Sequence, residues 1–107
     1  MIKVAPDDPV LSRFRTALDD VYGARLERVV LYGSRARGDA RPDSDYDVAV
    51  FLRDIPDRGQ EMNRLADLAA DILYDVGGVI HAFPFRAGAY NEPTPLMHEV
   101  RQDGLDL

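Results

Sequence analysis

A chain of 107 residues with a formal charge of −6 and no cysteine has room for a single domain spanning 1–107. It makes no disulfide or thiolate metal site, and its acidity argues against broad nucleic-acid binding, which relies on Lys and Arg to neutralise phosphates. The opening MIKVAPDDP lacks the apolar core of a secretory leader, and no apolar run approaches the ~20 residues of a membrane span. The expectation is a cytoplasmic protein that binds neither membrane nor nucleic acid directly. At this size it buries a smaller share of its surface than a larger domain would, so a partner and a hetero-oligomer are expected.

In chain order, Asp8-Pro9 reads as the N-cap and first position of a helix. Leu11, Phe14, Leu18 and Val21/Tyr22 recur at helical spacing, and Gly23 is the stop. LERVVLY, residues 26–32, reads as a strand rich in β-branched residues. Residues 33–44 form a loop with room for one helical turn after Ser34. DYDVAVFL, residues 45–52, reads as a strand buried on both faces.

Asp57 and Gln60 have capping-box spacing. The helix behind them turns Met62, Leu65, Leu68/Ala69 and Ile72/Leu73 to one face and ends at Gly77-Gly78. VIHAFPF, residues 79–85, is a third strand that Pro84 places at a sheet edge. Thr94-Pro95 opens a last helix with Leu96 and Val100 inward, closed by Gly104. The order predicts an α/β (α+β) fold, a small mixed sheet flanked by helices.

Chemistry concentrates in LYGSRARGDARPDSDYDVAVFL, residues 31–52. Asp45 and Asp47 are two apart at a strand entrance, so their side chains share a face. Such a pair can hold one hard cation, or two about 3.5–4 Å apart. An all-oxygen donor set suits Mg²⁺, completed by water and substrate phosphates. D-x-D by itself is equally well read as two solvated turn aspartates.

Gly33 lets the backbone turn sharply after its strand. Ser34 brings a hydroxyl, and the following N–H groups suit an anion. Arg35 and Arg37 add guanidinium groups matched to phosphate. No P-loop is present, since the glycines lack the Lys-Ser/Thr that follows them there. Ten residues separate Ser34 from Asp45, and neighbouring strands would join the two halves into one phosphate and metal site.

GSRARGDARPDSDYD resembles the G-S-x-A-R-G…S-D-x-D signature of the DNA polymerase beta-type nucleotidyltransferase superfamily, and at this length its minimal nucleotidyltransferase (MNT) members. The resemblance implies the nucleotidyltransferase fold, ATP as substrate, Mg²⁺ as cofactor, and transfer of a nucleoside monophosphate to a hydroxyl with release of pyrophosphate. It also implies an antitoxin whose partner is a HEPN-type toxin, with a toxin tyrosine as AMP acceptor. Gly33 and Ser34 would grip the triphosphate, and Asp45 and Asp47 would bind metal and carry catalysis.

The family pattern adds a third carboxylate from a later strand, which this chain lacks. Residues 79–85 contain no Asp or Glu, and His81 is their only ionisable group. An imidazole there could accept a proton, although an edge histidine with a polar neighbour is the simpler reading. The gap keeps open an antitoxin that neutralises its partner by binding alone. Modification of a small-molecule hydroxyl ranks below both, since the chain has little extra structure to hold one. Tyr46 reads as packing, His98 as carrying no chemistry, and Asp67, Asp71 and Asp75 as a solvated helix face.

Overall fold

The computed structural model describes residues 8–107; residues 1–7, where the leader reading begins, lie outside it. Helix α1 is Pro9–Tyr22, strand β1 Leu26–Tyr32, helix α2 Ser34–Arg37 and strand β2 Tyr46–Leu52. Helix α3 is Arg58–Val76, strand β3 Ile80–Arg86, helix α4 Pro95–Asp103 and strand β4 Leu105–Asp106. The strands lie in the order β3-β2-β1-β4. β1 runs antiparallel to β2 and β4, while β2 and β3 are parallel. This is the expected mixed α/β sheet flanked by helices.

The caps act as the residue types imply. Asp8 accepts from the N–H of Val10 at 2.8 Å, Asp57 from Gln60 at 3.1 Å and Thr94 from Met97 at 3.1 Å. Each satisfies a donor that the first helical turn leaves unpaired.

β2 is buried on both faces from Val48 to Leu52. Tyr46, Val48, Val50 and Leu52 join Val29, Leu31 and Ile80 under α1 and α3. Val30, Tyr32, Ala49 and Phe51 form a second core with Met97 and Val100 of α4, flanked by Phe85 and Tyr90. Alternation along a strand produces these two layers, and the double burial explains the unbroken apolar run.

Four details differ from the sequence reading. β4 and the 3-10 turns Gly23–Arg25 and Ala87–Asn91 were not expected, since segments this short carry little periodicity. The second strand begins at Tyr46 and the third at Ile80, one residue inside their predicted starts. Met97, not Leu96, points inward beside Val100, and Leu96 is exposed. Ile72 takes the inward seat on α3 while Leu73, a ~100° rotation away, faces out.

Glu61 is the one buried charged residue among those described, at 2% exposure. It accepts from Arg25 and from Arg64 Nη1 at 3.1 Å, tying α3 to the turn before β1. A carboxylate withdrawn from water needs such partners. Glu61→Ala is expected to lower stability by about 1.5–3 kcal/mol, read from chemical denaturation.

Candidate active site

The antiparallel β1-β2 pair and the parallel β2-β3 pair bring three strand ends together at one end of the sheet. Tyr32 at the end of β1 opposes Asp47, and Asp47 opposes His81 of β3. The turn after β1 therefore lies beside the two aspartates, as the reading of neighbouring strands required. Asp47 is half-buried and Asp45 exposed. Tyr46 points to the opposite face, where its hydroxyl donates to Asp8 at 2.7 Å; its reading as packing holds.

Gly33 adopts φ 76, ψ −157, a region essentially restricted to glycine. Any Cβ there would collide with the carboxylate of Asp47. The missing side chain is what lets Asp47 lie against the turn, so Gly33 shapes the carboxylate site as well as the loop. Ser34 opens α2, a single helical turn. The N–H groups of Ala36 and Arg37 both donate to the carbonyl of Gly33 at 3.1 Å.

The two arginines expected to hold phosphate are both engaged within the protein. Arg35 donates to the carbonyls of Ser44 at 2.9 Å and Pro42 at 3.3 Å. Its guanidinium stacks 4.0 Å from the Tyr46 ring centre, an arrangement that pins the loop just before Asp45. Arg37 pairs with Asp39 at 3.3 Å and with Glu99 and Asp103 of α4 at 3.5 and 3.9 Å. These Arg37 pairs are largely solvent-exposed and individually weak.

His81 lies on the edge strand β3 with a polar neighbour, as its simpler reading expected. Its Nε2 lies 3.2 Å from Asp45 Oδ2, and it faces the same side of the sheet as both aspartates. Burial pushes the Asp47 carboxyl above its ordinary value; His81 opposes that shift, Asp45 adds to it and Arg37 opposes it. Tyr32 is pushed up to about 12, by burial first and then by Asp47 and Glu99. It stays a neutral phenol on the same face as the aspartates. Sequence reasoning missed Tyr32 and the acidic face of α4; the position of Tyr32 immediately before Gly33 was the available signal.

Among the described residues no three acidic, histidine or cysteine side chains converge as a ready-made metal cluster. Two carboxylates at one strand end still match a hard cation that takes its remaining ligands from water and phosphate. No helix among the described residues is long and apolar enough to cross a membrane. Asp67, Asp71 and Asp75 lie exposed on α3, as expected.

Residues 22–105 match the family described as Polymerase beta, Nucleotidyltransferase. A Methanocaldococcus jannaschii protein named as a protein adenylyltransferase is 30% identical over 76 residues, covering 71% of this chain and 70% of the relative. A chain from a toxin-antitoxin structure with AMP-PNP superposes with a TM-score of 0.62 at 20% identity, covering 87% of this chain and 68% of that one. A chain from the Shewanella oneidensis complex of MNT antitoxin with tri-AMPylated HEPN toxin gives 0.54 at 17% identity, covering 91% and 70%. At such identities the structures speak to the fold, while the family match runs from the end of α1 to the start of β4, its G-S turn and D-x-D pair included. The chain belongs to the polymerase beta family of nucleotidyltransferases.

Proposed function

We propose that this nucleotidyltransferase is a Mg²⁺-dependent protein adenylyltransferase, the antitoxin of a HEPN/MNT pair, which moves AMP from ATP to a tyrosine hydroxyl on its toxin. The observation that carries the reading is the packing of the Asp47 carboxylate against Gly33, beside Asp45. That packing sets the Asp47 carboxylate against the turn to which the reading assigns the phosphates. The names of the relative and of the solved complexes support the choice of acceptor.

Asp45 and Asp47 would hold the cation. The raised carboxyl of Asp47 is what a desolvated ligand looks like before a cation offsets its charge. When bound, Mg²⁺ supplies charge neutralisation at the phosphates and orients them for in-line attack. Gly33, Ser34 and the first turn of α2 would cradle the triphosphate, with Arg37 exchanging its α4 partners for phosphate oxygens. Arg35 would act indirectly, by fixing the loop that ends in Asp45. His81 would hold one oxygen of Asp45, leaving the other for the cation.

β3 carries no acidic residue, and this observation sustains the alternative of an antitoxin that acts by binding alone. Intact-mass spectrometry separates the two. A purified HEPN-type candidate partner would be incubated with this chain, ATP and Mg²⁺. A gain of one or more AMP units with wild type, absent with Asp45→Asn, is the expected result. A stable complex with no mass gain would overturn transfer in favour of binding alone.

A further inference from the structure

The strand order fixes directions at the site. β1, with the Gly33-Ser34 turn at its end, lies on one side of β2, and β3 lies on the other. If phosphates sit on the turn, pyrophosphate departs over β1. In-line displacement puts the attacking oxygen opposite the leaving group, so the acceptor must approach from the β3 side. There the sheet offers His81 and, two residues on, Phe83, on the same face as the two aspartates.

Phe83 is 38% exposed, although an aromatic ring ordinarily seeks cover. Across the ladder it meets Ala49, whose single methyl leaves the ring uncovered. The next residue on this face, Phe85, is half-buried: it packs on Phe51 at 5.7 Å, with Arg58 above it at 5.8 Å. The bare ring is therefore confined to the strip beside the aspartates. β3 is also the sheet edge, where the missing N–H of Pro84 costs no ladder bond and discourages strand addition. A partner would meet side chains here, not a free backbone edge.

We infer that Phe83 is the specificity-determining residue for the acceptor, packing against the ring of an incoming tyrosine whose hydroxyl attacks the α-phosphate. This rests on the nucleotidyl-transfer reading above. The phenolic oxygen forms a bond to the α-phosphorus as the bond to the β-phosphate bridging oxygen breaks. Pyrophosphate leaves and the phenolic proton passes to water. An aliphatic hydroxyl could be positioned at the same metal site but would gain nothing from the ring, so the strip selects tyrosine over serine.

The test uses the full-length chain and two short peptides that differ only in carrying one tyrosine or one serine, with the HEPN-type protein as a third acceptor. Wild type, Phe83→Ala and Phe83→Tyr would be compared for transfer and, separately, for affinity toward an ATP analogue with Mg²⁺. Phe83→Ala is expected to raise KM for both tyrosine acceptors about tenfold, the scale of losing one buried aromatic pair. It should leave kcat and nucleotide affinity unchanged and collapse the preference for tyrosine over serine, which Phe83→Tyr restores. Weaker analogue binding by Phe83→Ala would place the ring under the nucleobase and overturn the inference. Unchanged acceptor KM and selectivity would overturn it as well. Absence of transfer by wild type would instead sink the underlying nucleotidyl-transfer reading, and this inference with it.

Discussion

Asp47→Asn is expected to abolish transfer yet leave the ligand-free protein at least as stable as wild type. The first half follows from charge. In the proposed mechanism a bound cation contributes several kcal/mol of transition-state stabilisation, so losing its ligand should cost on the order of 10³-fold or more in rate. The second half follows from the raised carboxyl of Asp47, caused first by burial. A carboxylate whose folded pKa exceeds its unfolded value stabilises the fold below the ordinary carboxylate range. That contribution is lost as pH rises through the folded value. At neutral pH the ionised, cation-free Asp47 is therefore a cost, and the neutral amide removes it.

Thermal melts with and without Mg²⁺ and ATP check both halves. Without ligand, Asp47→Asn should melt no lower than wild type at pH 7, and the difference should vanish below the ordinary aspartate range. With ligand, wild type should gain stability, by about 2.7 kcal/mol at a hundredfold excess over Kd, and the variant should gain little. A variant that melts well below wild type when ligand-free would show that Asp47 is a structural residue, and a variant with full transfer would remove it from the site.

Gly33→Ala damages stability and activity together. The backbone at φ 76, ψ −157 costs a residue with a side chain roughly 1–3 kcal/mol. The added methyl also meets the Asp47 carboxylate, so relief requires either the turn or the carboxylate to move. At roughly 4 °C or more per kcal/mol for a domain near this size, the melting temperature should fall by several degrees. Transfer should fall further than the remaining folded fraction explains, because displacement of Asp47 misplaces a cation ligand. Ser34→Ala, without the backbone strain, should melt like wild type. Equal stability of Gly33→Ala and wild type would mean that the turn is not held in this conformation.

Much of this protein was legible in the chain alone because its signals are local. Asp8-Pro9, Asp57 with Gln60, and Thr94-Pro95 marked helix starts through short-range capping chemistry. The apolar run of β2 announced burial on both faces, and G-S followed by D-x-D marked the two segments that the fold brings together at one end of the sheet. Residues whose roles depend on distant segments were misjudged or passed over. Met97 took the inward place expected of Leu96, and the short β4 left no periodic trace.

Composition, caps and motif spacing determined the element order, the mixed sheet and the pair Asp45 and Asp47, because each depends on residues within a few positions of one another. Strand order and register were decided only in three dimensions. They set His81 against Asp45, packed Asp47 onto Gly33, drew Arg35 and Arg37 into internal partnerships and left Phe83 bare beside the aspartates. The strand pairings behind them join separate segments, and pairing across a sheet is governed by the joint burial of both faces, which no single stretch of sequence encodes.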